Sequence, residues 1–363
     1  MVKGPAEVVV NGSCYVLGKD VSNQTMRVRT DKAIPFELRY NCKLHVRLGY
    51  GARLWWAWPD QAGTSMWRNL AREFSHMMTC YKKLTVLLLG GTNSGKSTLT
   101  TYLANTAIGS GYKPCVIDGD VGQGDLAPPT AIGAAILSRQ VVDLRDFCQA
   151  HMFEFVGSMT PAGCEDTIAR KLRDMLERTS SLGNIIIVNT DGYVSDGCGV
   201  SYKQTIAKKL RPDIILVLGE NRALLNALAP GPWEILRIRS SLNTYKSDQD
   251  RLNHRLDQFL NYVGNRLSIV ELSRVKIEFA IRLFMHPERA IFQPTLKQLG
   301  IESMENMFVG LGSKGLIVGF GIIIRVAQDR SSLHLQSDID SFDTIYLSNI
   351  KLSHDSIARI KPI

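Results

Sequence analysis

A strand-length apolar run, Leu84 to Leu89, leads directly into Gly90-Gly91-Thr92-Asn93-Ser94-Gly95-Lys96-Ser97, and no other stretch restricts the fold of this chain as much. The spacing is G-x-x-x-x-G-K-[ST]. After it, Leu99, Tyr102, Leu103, Thr106 and Ala107 recur at three- and four-residue intervals until Gly109 and Gly111 interrupt them, so a helix is expected there. Such a loop has meaning only between a strand and a helix, and both flanks are present. Gly90 and Gly95 free the backbone to turn successive N–H groups toward phosphate oxygens at a helix N-terminus. Gly91, Thr92, Asn93, Ser94, Gly95, Lys96, Ser97 and Thr98 are the expected nucleotide contacts. Lys96 supplies a point charge for the β- and γ-phosphates, and the Ser97 hydroxyl is placed to ligate Mg²⁺.

With 363 residues, 45% hydrophobic and 21% charged, the chain has ordinary globular composition and length for two or three domains. A formal net charge of +9 suits a polyanionic partner, although a surplus spread over this length is also met in proteins that touch no nucleic acid. Cys14, Cys42, Cys80, Cys115, Cys148, Cys164 and Cys198 form no C-x-x-C pair, which points away from a zinc site or a disulfide framework and toward a reducing, intracellular setting. No apolar run reaches membrane-spanning length, and the N-terminus lacks the layout of a signal peptide.

The expected fold is α/β, a central P-loop NTPase domain with a parallel sheet wound by helices, flanked by a small N-terminal β domain and a C-terminal β-rich domain. The divisions fall at 1–63 for the N-terminal β domain, 64–81 for a connecting helix, 82–264 for the P-loop domain and 265–363 for the C-terminal part. Short strands are expected at Glu7–Val10, Cys14–Leu17, Thr25–Arg29, Phe36–Tyr40 and Lys43–Leu48. Trp55, Trp56 and Trp58 then cluster before Pro59; such rings can stack on a base, but packing into a core is the commoner use.

A second strand ends in Asp118-Gly119-Asp120, beside the P-loop strand on this reading, where a carboxylate can meet Mg²⁺ or take a proton from an attacking hydroxyl. Asp120 is the candidate, against the plainer alternative that both carboxylates cap the next element. The loops at Gly157–Gly163 and Asn189–Val194 also follow strands. No N-K-x-D sequence occurs, against a Ras-like guanine-nucleotide switch. Arg237, Arg239, Lys246, Arg251 and Arg255 lie late in this domain, where cations over migrating phosphoryl charge are needed, or where they serve as solvated surface.

Taken together these pieces resemble the polynucleotide 5′-hydroxyl kinase family that includes the kinase subunit of the pre-mRNA cleavage factor and the archaeal RNA kinases. The residues that carry the resemblance are GGTNSGKST at 90–98, Asp118 to Gln123, Gly157-Ser158-x-Thr160-Pro161 and Asn189-Thr190-x-Gly192. The resemblance implies transfer of the ATP γ-phosphate to the 5′-hydroxyl of RNA, or alternatively DNA, with ATP and Mg²⁺ held by Lys96 and Ser97. It implies Asp120 as general base and metal partner, and Gln123, Ser158, Thr160, Thr190, Gly192 and Tyr193 as substrate contacts. Tyr193 stands where the family usually has Trp. Arg239 fits the first of two lid arginines; the second falls in Asn243 to Lys246, leaving Lys246 or Arg251 as substitutes, and lysine lacks the guanidinium fork. Partners implied are RNA and RNA-processing proteins and no membrane, in the cytoplasm for an archaeal member or the nucleus for a eukaryotic one. An ATP-bound scaffold of an RNA-processing complex is the alternative, and a P-loop ATPase or small-molecule kinase a third reading.

Overall fold

The computed structural model describes residues 1–60, 62–147, 152–239, 246–280, 304–329, 331–353 and 356–359. Five strands form the parallel heart of the fold, in the order Glu234–Ile238, Ile214–Leu218, Leu84–Gly90, Ile185–Thr190 and Cys115–Gly119. They are apolar on both faces because helices cover both. Leu84, Val86 and Leu88 of the P-loop strand face one core, while Leu87 and Leu89 face another. The helices are α1 (Thr64–Cys80), α2 (Lys96–Gly109), α3 (Glu165–Thr179), α4 (Gly197–Leu210), α5 (Arg222–Leu228) and α6 (Asp248–Val263). α2 carries Leu99 and Leu103 into the first core, and α3 and α4 carry Ile168, Leu172, Ile206 and Leu210 into the second.

The central sheet departs from the expected parallel one at its far edge. Ala131–Ile136 pairs antiparallel with Cys115–Gly119, and Met152–Phe155 pairs antiparallel with Ala131–Ile136. Phe153 then pairs with Ile317, so the C-terminal strands continue the same sheet, 14 strands among the described residues. An aromatic cluster seals this junction: Phe259 of α6 meets Phe308 edge-on at 4.7 Å, Phe308 stacks on Phe320 at 5.7 Å, and Phe155 touches both. Gly310 makes room for the Phe155 ring, since a Cβ there would come within 2.7 Å of it. A second correction concerns neighbours: Ile185–Thr190 lies between the P-loop strand and Cys115–Gly119, so the Asp118 strand is next but one to the P-loop strand.

The N-terminal residues form three small antiparallel sheets, with Val2–Lys3, Ala6–Asn11 and Cys14–Val16 as their middle strands. Val8 and Val10 are buried while Glu7 and Val9 turn outward, the period of two that a half-buried strand requires. The module packs on α1 and α2 in one continuous core, and Asn105 of α2 donates to the carbonyls of Leu17 and Val141 at 2.8 and 2.7 Å. Among the described residues no helix is long and apolar enough to cross a membrane.

A buried ionic network ties this module to the rest. Asp31 receives Arg145 at 2.8 Å, His254 of α6 at 2.9 Å and Lys246 at 3.2 Å. Arg145 also meets Asp143 at 2.8 Å, and Lys32 meets Asp125 at 2.9 Å. Burial alone would raise the Asp31 and Asp143 carboxyls, but the surrounding cations and hydrogen bonds outweigh it and hold both well below the ordinary carboxylate range. Groups depressed in the folded state contribute stability that is complete above the unfolded value of about 3.9 and is lost as pH falls toward their folded values. Arg145→Ala leaves three buried carboxylates short of a cation. It should cost about 3–5 kcal/mol in urea unfolding at neutral pH and should move the acid-unfolding midpoint to higher pH. Unchanged midpoints in both would show that the network does not hold the module.

Candidate nucleotide and phosphoryl-transfer site

Parallel pairing brings the C-terminal ends of three strands to one edge. Gly90 pairs with Leu218, and Gly119 with Thr190. The loops that follow, at 91–95, 120–125 and 191–195, therefore line one cleft of about 1290 Å³, together with the 159–162 loop and α6. Ligands enter open α/β sheets at this edge because the strands stop while the loops splay apart.

Gly95 takes φ +95° and precedes α2, whose first turn receives no side-chain cap. The first N–H groups of α2 are left without a side-chain acceptor, the state in which a helix N-terminus can receive an anion. Lys96 is buried and folds back, its Nζ donating to the carbonyls of Gly90 at 2.9 Å and Gly91 at 2.8 Å. Burial pushes the Lys96 ammonium down to about 8 against the opposing pull of Asp120. A phosphate would restore the missing counter-charge and draw the amine off the two carbonyls.

The two carboxylates of the Asp118-Gly-Asp120 stretch have different environments. Asp118 is buried and accepts from the N–H of Asp125 at 2.6 Å, the N–H of Asp120 at 3.3 Å and Asn189 Nδ2 at 3.0 Å. Burial, then Asp125 and Asp120, push its carboxyl up to about 7. It shapes the loop. Asp120 is half-buried on the cleft wall; its Oδ1 accepts from the N–H groups of Gly122 and Gln123, both at 3.0 Å. Among the described residues no donor meets its Oδ2.

The intervening strand supplies the link between loop and carboxylates. Asn189 donates to Ser97 Oγ at 3.3 Å as well as to Asp118. Its Oδ1 and the Oε1 of Gln123 are buried without a hydrogen-bond partner. Ser97, Asp120 and these amide oxygens are hard oxygen donors of the kind Mg²⁺ takes, one or two from protein and the rest from phosphate and water. Among the described residues no cluster of three or more His, Cys, Asp or Glu could hold a metal by itself.

The cleft collects most of the candidates read from sequence: 91–98, Asp120, Gln123, Thr160, Gly192, Tyr193, Lys246 and Arg251 all line it. Three candidates lie elsewhere. Thr190 is fully buried and donates to Leu88 O at 2.9 Å, holding two strands together. Ser158 is buried and closes its own turn, accepting from Thr160 N at 3.2 Å. Arg239 is exposed just past its strand and does not line the cleft. Asn243 lies outside the described residues.

The fold selects among the late cations read from sequence and adds a residue that sequence did not mark. Arg255 lines the cleft one turn beyond Arg251, and its Nε donates to Gly122 O at 3.0 Å. Gln123 Nε2 donates to Arg251 O at 3.2 Å, so α6 is fastened to the Asp120 loop from both sides. Lys203 of α4 is fully buried and pairs with Asp191 at 2.8 Å; Asp191 also accepts from Tyr202 OH and from the N–H of Tyr193, both at 2.9 Å. In sequence Lys203 reads as one more helical lysine, and nothing marks it as an interior cation.

Comparison with known proteins agrees with the resemblance read from sequence. Residues 90–265 match the family described as the mRNA cleavage and polyadenylation factor CLP1 P-loop. A protein of Thermococcus kodakarensis named polyribonucleotide 5′-hydroxyl-kinase is 31% identical over 199 residues, 54% of this chain and 56% of that one. One of the same name from Methanocaldococcus jannaschii is 30% identical over 188 residues, 51% of each. The match thus spans about half the length of these curated relatives. A chain in the structure of the wild-type Clp1p-Pcf11p complex superposes with a TM-score of 0.67 at 16% identity, covering 96% of this chain and 94% of that one, which shows a shared fold.

Gly192 touches the P-loop directly: a Cβ there would lie within 2.5 Å of Thr92 Oγ1 and 2.6 Å of Thr92 N. The backbone atom cannot rotate aside. Gly192→Ala should displace Thr92 and weaken nucleotide binding about tenfold, or 1.4 kcal/mol, in equilibrium titration with a fluorescent nucleotide. Binding at wild-type strength would mean that the contact between the two loops does not set the phosphate site.

Proposed function

We propose that this chain, whose residues 90–265 belong to the CLP1 P-loop family, is an ATP-dependent polynucleotide 5′-hydroxyl kinase acting on RNA. One observation carries the reading. A half-buried carboxylate with an open oxygen, Asp120, stands in the same cleft as an uncapped helix N-terminus with its lysine and as two arginines of α6. That is a proton acceptor, a phosphate cradle and cations for the migrating charge. The cleft volume also exceeds the roughly 300–1,000 Å³ of a small-molecule site, which leaves room for a nucleotide and the end of a polymer.

The protein need do little covalent chemistry, because phosphoryl transfer depends on positioning and on neutralising charge. The loop N–H groups and Lys96 orient the triphosphate. Asp120 Oδ2 takes the proton of the attacking 5′-hydroxyl. Arg251 and Arg255 line the same cleft and would meet the charge that grows on the transferred group. Ser97 and Asp120 would hold Mg²⁺, with Gln123 beside them; the ion would offset the negative charge of the phosphates. Tyr193, held by the Asp191 bond to its N–H, is available to stack on the acceptor base. RNA-processing proteins are the expected partners, and DNA is the alternative acceptor. The scaffold alternative rested on a missing second lid arginine; with Arg255 on the cleft wall that ground is weakened.

Transfer of label from γ-labelled ATP to 5′-hydroxyl RNA, absent in Lys96→Ala, tests the activity, and matched DNA measures the preference. Asp120→Asn should keep ATP binding but lower transfer by about 10²–10⁴-fold, the range of lost general-base catalysis. Wild-type transfer in that variant would remove Asp120 from the role. Arg255→Lys keeps the charge and loses the fork; kcat should fall while the KM for ATP holds. An unchanged kcat would return the lid role to Lys246 or Arg251.

A further inference from the structure

The three tryptophans before Pro59 do not pack into a core. Trp55 is 38% exposed, Trp56 78% and Trp58 67%, and Tyr50 nearby is fully exposed. The segment bearing them is nonetheless fixed in place. Leu54 pairs with Val2, Met1 and Trp55 exchange main-chain hydrogen bonds at 3.1 Å, and Lys3 reaches Asp250 of α6 at 3.1 Å. Among the described residues Val2–Lys3 alone pairs with this two-residue strand, and the rings beyond Leu54 stand partly or largely in solvent. Arg53, Leu54 and Trp55 line the same cleft, and Trp56 and Trp58 follow Trp55 closely in the chain.

Positive charge predominates in the segment that carries the rings, with Asp60 just after it. From Lys43 through Pro59 the sequence has Lys43, Arg47 and Arg53 with His45, and no aspartate or glutamate. Arg47 is exposed and faces Glu7 at 3.4 Å; Arg53 is exposed at the cleft. Exposed aromatic rings in a segment richer in cations than in carboxylates suit a single-stranded polyanion whose flat bases stack while its phosphates meet the arginines.

We propose that Tyr50, Trp56 and Trp58 with Arg53 form a stacking platform for single-stranded RNA, holding the acceptor's nucleotides downstream of the 5′ end that enters the cleft. This inference rests on the kinase reading for its choice of ligand. The platform is continuous with the cleft through Trp55, so a longer acceptor gains contacts that a dinucleotide cannot reach.

The experiment compares a 5′-hydroxyl dinucleotide with an oligoribonucleotide of about ten nucleotides, within the site sizes of aromatic single-strand grooves. Trp56→Ala should raise the KM of the longer acceptor roughly tenfold and leave the KM values for ATP and for the dinucleotide unchanged. Trp56→Phe should restore most of the loss, and Tyr50→Ala should act as Trp56→Ala does. Binding is read separately, without ATP, as quenching of tryptophan fluorescence by the longer oligonucleotide, weakened in Trp56→Ala and by salt. Equal effects on both acceptor lengths, a raised KM for ATP, or quenching indifferent to Trp56 would each overturn the platform. Quenching that depends on Trp56 without any transfer by the wild type would instead overturn the kinase reading and leave the platform standing.

Discussion

The parallel pairing of Leu84–Gly90 with Ile185–Thr190 is the constraint on which the cleft depends. Parallel strands end at the same edge, so each loop leaving that edge begins beside its neighbours. Asn189, near the end of the intervening strand, has the Ser97 hydroxyl on one side and Asp118 on the other, and its amide bonds to both. Thr190, one residue on, bonds across to Leu88 and holds the register that makes this possible. The spacing between phosphate loop and carboxylate loop is therefore set by sheet geometry and by one buried amide.

Two desolvated ion-pair systems fix what surrounds that edge. Asp31, Arg145, His254 and Lys246 join the N-terminal module, the body of the sheet and α6 at a single buried point. Buried charges are poor sources of net stability but costly to break, so they discriminate between arrangements more than they strengthen one. Lys203, Asp191 and Tyr202 do the same beneath the loop that carries Gly192 and Tyr193. Burial pulls the Lys203 ammonium down while Asp191 opposes it. Each system thus fastens an element that lines the cleft, the first α6 and the second the 191–195 loop.

The C-terminal strands contribute by packing. They extend the central sheet past Phe153, and Phe308 and Phe320 clasp Phe259 of α6. The helix that presents Arg251 and Arg255 to the cleft is in this way anchored by an aromatic contact near its other end. Its first turn is fixed independently by the Ser247–Asp250 capping box. Through that aromatic contact the C-terminal strands bear on the site.

Sequence alone determined those features whose physics is local. The phosphate loop between strand and helix, the strand ending at Asp118 and the strand at Lys43–Leu48 follow from apolar period and turn residues, which act within a few residues. Tertiary structure decided what depends on neighbours distant in sequence. Strand order placed Ile185–Thr190 between the two key strands, which no spacing encodes. Burial turned Thr190 and Ser158 from expected substrate contacts into internal ones and turned Lys203 into an interior cation. Exposure of the tryptophans reversed the expectation that they would pack, because a hydrophobic ring is buried only where a second layer covers it. Arg255 entered the cleft, and Arg239 did not, because a side chain's access to a site depends on where its element is packed, whereas its identity depends on sequence alone.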